Sequence, residues 1–127
     1  MKLLLDTHAF LWFLLDDPRL SPTAAERIES AAGVALSVAS LWEIAIKVQL
    51  GKLELGMGLA AFLAEHVEKT ELELVPVELS HLLEYGALPL HHRDPFDRLI
   101  LSQARVLGLP VASGDPAFGA YGVEIVW

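Results

Sequence analysis

The sequence predicts an α/β fold built on a mostly parallel, doubly wound sheet. Three observations point there. Short, continuously apolar runs recur along the chain; segments with helical start and stop signals separate them; and 54% apolar against 20% charged residues over 127 positions is enough for a buried core. Strands covered on both faces read as unbroken apolar runs, and strands alternating with helices return in the same direction through right-handed crossovers. Four to five strands are expected, flanked by helices on both faces, in one domain spanning 1–127.

The first strand is Lys2–Leu5, followed by a helix from about His8 that Asp6 can cap. Ser21-Pro22 is an N-cap with proline at the first helical position. The second strand is Val34–Ser37. Ser40-Leu41-Trp42-Glu43 fits a capping box, so the next helix is expected to start at Ser40 and to end at Gly51. A weaker helix covers about Leu59–Lys69, then a strand Glu73–Val77 and a short helix Ser80–Tyr85. Asp94-Pro95 opens a helix that runs to Leu107 and is closed by Gly108. Pro110–Ser113 and Val123–Val126 supply the last two strands.

Composition narrows the function. Without cysteine there is no disulfide framework, thiolate zinc site or thiol catalysis. The N-terminal apolar run is cut by Asp6 and His8, and the longest uncharged run, Ala31–Trp42, is too short for a bilayer, so a soluble chain with no membrane association is expected. Nine Lys and Arg against 17 Asp and Glu give a net charge of −8. Phosphate attraction alone therefore does not recommend it as a nucleic-acid binder, whereas a metal-dependent site or a basic protein partner suits it.

In a doubly wound sheet, ligands bind beyond the carboxyl ends of the strands. Four carboxylates fall there: Asp6 after the first strand, Glu43 and Asp97 in the first turns of their helices, and Asp115 after Val111-Ala112-Ser113. Each has an ordinary reading: Asp6 as a cap, Glu43 as partner of Ser40 or Lys47, Asp115 as a turn starter before Pro116. Yet Glu43 lies in a helix apolar nearly all round, and Asp97 shares a face with Ile100, Leu101 and Ala104, where a carboxylate needs a partner. Asp94 reads more simply as the cap of the Pro95 helix, with a supporting place behind the site as its other reading. Several acids held together raise one another's pKa, and a hard divalent cation resolves that, Mg²⁺ or Mn²⁺ for an all-oxygen set. His8, His66 and His81 have no ligand spacing and are expected to be structural or solvent-facing, and His91 and His92 read as loop residues.

Lys2-Leu3-Leu4-Leu5-Asp6-Thr7-His8, Ser37 to Lys47, His92 to Ile100 and Ser113-Gly114-Asp115-Pro116-Ala117-Phe118 together resemble a PIN-domain nuclease of the VapC toxin type, in the family's order and across the whole chain. The resemblance implies a PIN-like three-layer α/β/α sandwich and a cytoplasmic endoribonuclease. It also implies a VapB-like antitoxin partner and a homodimer. It carries the acidic site onto Asp6, Glu43, Asp97 and Asp115, holding one or two Mg²⁺ or Mn²⁺ ions, with Thr7 and Ser113 as polar support. Ser113 stands where threonine is common, and Asp94 is an extra acid of one branch. The mechanism expected is in-line attack of metal-activated water on phosphorus, leaving a 5′ phosphate.

Arg93, Arg98, Lys47 and Lys52 are the cations expected near the acids, to grip RNA phosphates, Lys47 serving equally to offset Glu43. Leu11, Trp12 and Leu15 belong either to an interface or to the core. Two rival readings are another Mg-dependent phosphohydrolase and a non-catalytic PIN-fold binding module. A haloacid-dehalogenase-like phosphatase would need a second Asp at position 8, which is His, and a non-catalytic module is expected to lose acids that are all present here.

Overall fold

Leu3 and Leu5 bury against one set of helices and Leu4 against the other, the period-2 alternation of a strand covered on both faces. A computed structural model of the chain describes residues 2–127. In it β1 (Lys2–Leu5) is the middle of a five-stranded sheet ordered β3-β2-β1-β4-β5, with β2 at Gly33–Ser37, β3 at Glu73–Val75, β4 at Val111–Ala112 and β5 at Ile125–Val126. Every pairing is parallel.

One layer holds α1 (Thr7–Leu14), α2 (Pro22–Ser30), α3 (Val38–Gln49) and α4 (Leu59–Leu63), with Phe10, Ile28, Ile44 and Phe62 packed onto Leu3, Leu5 and Leu36. The opposite layer holds α5 (Leu79–Ala87) and α6 (Pro95–Leu107), where Ile100, Leu101 and Ala104 pack with Phe118 and Tyr121 onto Leu4, Ala35 and Val111. The three-layer α/β/α architecture is the one expected. No helix among the described residues is long and apolar enough to cross a membrane.

The topology dictates where a site falls. The chain first builds outward from β1 to β2 and β3, then crosses back to lay β4 and β5 on the other side. The strand order reverses between β1 and β4, and a crevice opens at the carboxyl ends of such a pair. Asp6 follows β1 there, with its N–H donating to Ala112 O at 3.1 Å.

Most element boundaries match the expectation, α6 among them: Asp94 caps it and Gly108 ends it at φ 66°, where glycine alone carries no Cβ penalty. Three do not. The helix expected from Ser40 starts at Val38, because β2 runs straight into it and Ser37 Oγ accepts from Ala39 N at 3.1 Å. The capping box is therefore absent, and Ser40 lies inside the helix, accepting a hydrogen bond from Thr7 Oγ1 at 2.9 Å. The weaker helix is α4 followed by a π-helical turn at Ala64–Glu68. The third strand stops at Val75, since Pro76 has no N–H for the ladder. Leu11 is core, Trp12 is half-buried against it, and Leu15 is exposed.

Candidate active site

The four carboxylates come from the ends of β1 and β4, the second turn of α3 and the first turn of α6, Glu43 lying a turn deeper than expected because α3 starts at Val38, and they act on one another electrostatically. Asp6 is both a cap and a member of the site: its Oδ1 accepts from Ala9 N at 2.7 Å while its side chain is nearly fully buried. Burial pushes its pKa up against the hydrogen bonds from Ser113 and Ala9.

Asp97, in the first turn of α6, is pushed up to about 7. Burial is the largest cause, followed by the charges of Asp94 and Asp6, with a smaller push from Glu43 and an opposing pull from His92. Glu43 is buried in α3. Its Oε2 pairs with Lys47 Nζ at 3.1 Å, and its Oε1 is buried with no hydrogen-bond partner. A buried carboxylate oxygen left unpaired is strongly unfavourable.

Asp115 differs. It caps the 3₁₀ turn Pro116–Tyr121 through Oδ1, which accepts from Ala117 N at 2.9 Å, while Oδ2 lies 2.8 Å from His92 Nε2. Its partial burial acts upward, but the Ala117 N–H and His92 outweigh it and hold the carboxyl below its usual value. Asp94 is occupied as a cap, accepting from Phe96 N at 2.8 Å and Asp97 N at 3.2 Å, yet its charge reaches Asp97. Ser113 touches Asp6 and accepts from Asp115 N at 3.1 Å, and Thr7 ties α1 to α3 through Ser40.

His92 is one of the residues that sequence reasoning missed. Its Nδ1 accepts from Asp94 N at 3.1 Å, so the ring presents Nε2–H to Asp115 Oδ2 at 2.8 Å and Asp97 Oδ2 at 3.2 Å. The adjacency of His91 and His92 hides this, because the direction of each ring is set by the loop. The available signal is position: His92 lies two residues before the helix cap that it braces. The His8 ring opens onto the same cleft, of about 430 Å³, lined by Asp6, Asp97, Asp115, Trp12, Arg19 and Trp127.

The expected phosphate-gripping cations fare differently. Arg98 is buried, and its guanidinium donates to the carbonyls of Pro89, His92, Tyr85 and Leu88 while lying 4.8 Å over the Tyr85 ring. This corrects its assignment to RNA: α6 turns it away from the cleft to hold the preceding loop. Lys47 is engaged by Glu43, and Arg93 and Lys52 are exposed. Arg19, not singled out in the sequence, is the one Lys or Arg among the described residues that lines the cleft.

A parallel α/β sandwich with carboxylates gathered where the strand order reverses places an acidic ligand site at the carboxyl ends of the strands. The PIN domain model matches residues 3–124, and the chain belongs to the PIN domain family. It is 32% identical over 116 residues to Ribonuclease VapC22 of Mycobacterium tuberculosis, spanning 88% of this chain and 85% of that protein. Two solved structures share the fold: VapBC2 from Rickettsia felis bound to a DNA fragment from its promoter (TM-score 0.73, 17% identity, 98% and 97% of the two chains) and FitAcB from Neisseria gonorrhoeae (TM-score 0.71, 21% identity, 97% and 95%). VapC20 of Mycobacterium tuberculosis, described as a toxin cleaving the sarcin-ricin loop, aligns with a TM-score of 0.66 at 21% identity over 95% of each chain.

Proposed function

We propose that this chain is a metal-dependent endoribonuclease, the toxin of a pair whose inhibitor is a small VapB-like antitoxin, acting in the cytoplasm as a homodimer with the whole chain as one domain. The observation that carries the reading is the unpaired, buried Oε1 of Glu43 beside the Asp97 carboxyl raised to about 7. Lys47 meets only the other oxygen of Glu43, and the relative named a ribonuclease aligns over most of the chain.

The donor set is carboxylate oxygen, which suits Mg²⁺ or Mn²⁺, one or two ions. Asp6, Glu43 and Asp97 would hold the ion, with Asp115 at the rim. When bound, such an ion supplies Lewis acidity toward water and the phosphodiester oxygens. The chain's own residues do the positioning. Ala9 N–H and Ser113 fix the Asp6 carboxylate, and the Thr7–Ser40 hydrogen bond locks α1 to the helix carrying Glu43. His92 sets Asp97 against Asp115. Burial keeps bulk water from screening Asp6 and Glu43.

The test is sequencing of the RNA ends produced by purified protein with Mg²⁺ or Mn²⁺, beside Asp6→Asn and EDTA controls. Metal-dependent 5′-phosphate ends that vanish in both controls are expected. Cleavage at the wild-type rate in Asp6→Asn would reject the assignment. Native mass spectrometry with the neighbouring gene product tests the partner, where indifference of binding to Asp6→Asn and Asp97→Asn would reject recognition through the acids.

A further inference from the structure

One wall of the acid cleft is not used by metal or phosphate chemistry. His8 and Trp12 stand four residues apart on α1, and this spacing lays the imidazole on the indole, with centroids 5.3 Å apart and planes at 26°. The Arg19 guanidinium lies 4.8 Å over the same indole and is itself held by Asp17, Nε to Oδ1 at 3.1 Å and Nη2 to Oδ2 at 2.8 Å. Trp127 leans on Trp12 at 5.9 Å and 57°. It seats against Gly114, where a Cβ would come within 2.7 Å of the indole carbons Cε2 and Cζ2. A side chain at position 114 would therefore push Trp127 off that seat. Trp12 and Trp127 are half-buried, whereas His8 is exposed, so the ring face turned away from Trp12 is the open aromatic face of the wall.

An acidic cleft on a chain of net charge −8, with Arg19 its one lining Lys or Arg among the described residues, gains little by attracting a polyanion. Stacking does not depend on charge, and every base has a π-face. Bases inside a duplex are already stacked, whereas those in loops and single strands can be splayed onto aromatic side chains.

We infer that His8, backed by Trp12 and Arg19, is the platform on which a nucleobase next to the scissile phosphate stacks. The inference rests on the nuclease reading of the same cleft.

The experiment uses the full chain with Mn²⁺ and a short single-stranded RNA whose cleavage position has been mapped, beside the same RNA made abasic at the nucleotide flanking that position. His8→Ala raises KM about ten-fold with kcat nearly unchanged, and His8→Phe restores it. The abasic substitution raises KM for wild type and His8→Phe but adds nothing in His8→Ala. A second readout needs no turnover: the intact RNA quenches the fluorescence of Trp12 and Trp127 in Asp6→Asn protein, and the abasic RNA quenches less. An unchanged KM in His8→Ala, a His8→Phe variant as impaired as His8→Ala, or an equal abasic effect with and without the ring each overturns the platform. Absence of cleavage by wild type sinks the nuclease reading instead, and the quenching comparison then decides the platform by itself.

Discussion

Asp97 and Asp115 meet the same imidazole nitrogen, His92 Nε2 lying 3.2 Å from one and 2.8 Å from the other, yet their protonation is driven in opposite directions. In the inner half Asp6 and Glu43 are buried and Asp97 is half-buried, and Asp97 is raised to about 7 while one oxygen of Glu43 has no partner. The outer half is satisfied: Asp115 has the Ala117 N–H on one oxygen and His92 on the other, and is held low. The same residue type thus stores unfavourable charge on one side and releases it on the other. Where burial outruns hydrogen bonding the charged carboxylate is disfavoured, and where hydrogen bonding outruns burial it is held ionised.

The largest effects are expected on the inner side. Asp6→Asn and Asp97→Asn lower RNA cleavage by on the order of a thousand-fold, measured with Mn²⁺ on a defined RNA. The metal-free Asp97→Asn protein is at the same time more stable than wild type at pH 8, by about 2 kcal/mol after allowing for the solvent-facing part of the side chain. The sign follows from linkage: a folded-state pKa raised from 3.8 to about 7 contributes stability that is complete below pH 3.8 and is lost as pH rises through 7. Thermal melts in EDTA across that window should show wild type losing ground to Asp97→Asn. Asp115 contributes oppositely, its stability present above its unfolded pKa and lost as pH falls through its lower folded value.

Next in size is the support beneath the outer half. Arg98→Met strips donors from the carbonyls of Pro89, His92, Tyr85 and Leu88 and is expected to destabilise by about 2–4 kcal/mol, seen as a fall of about 10 °C in Tm. An unchanged melt would mean that the loop carrying His92 holds itself. The smallest effect separates the two halves: Asp115→Asn should retain the cap and lower cleavage about ten-fold, far less than either inner variant. Equal losses at Asp97 and Asp115 would erase the distinction.

Much of this was legible in the letters. Unbroken apolar runs such as Leu3-Leu4-Leu5 mark the parallel sheet because both faces are covered, and Asp94-Pro95 with Gly108 bounds α6 because capping and proline chemistry are local. Topology placed Asp6 and Asp115 beyond the carboxyl ends of strands and Asp97 at the opening of α6, whereas Glu43 lies a turn inside α3 because that helix starts at Val38. What did not follow was side-chain direction. Arg98 sits one residue from Asp97, and a helical turn of about 100° per residue sends it away from the cleft. His92 and Arg19 reach the cleft from loops, whose path no periodicity encodes. The capping box at Ser40 failed because a strand can run into a helix without a loop, moving the cap to Ser37.

The central claim is that the inner carboxylates together hold divalent metal. Calorimetric titration of Mn²⁺ into wild-type, Asp6→Asn, Asp97→Asn and Asp115→Asn protein at pH 7.5 addresses it most directly. Saturable binding that weakens at least ten-fold in Asp6→Asn and Asp97→Asn, with Asp115→Asn close to wild type, is the predicted result. Affinity unaltered by either inner substitution would contradict it.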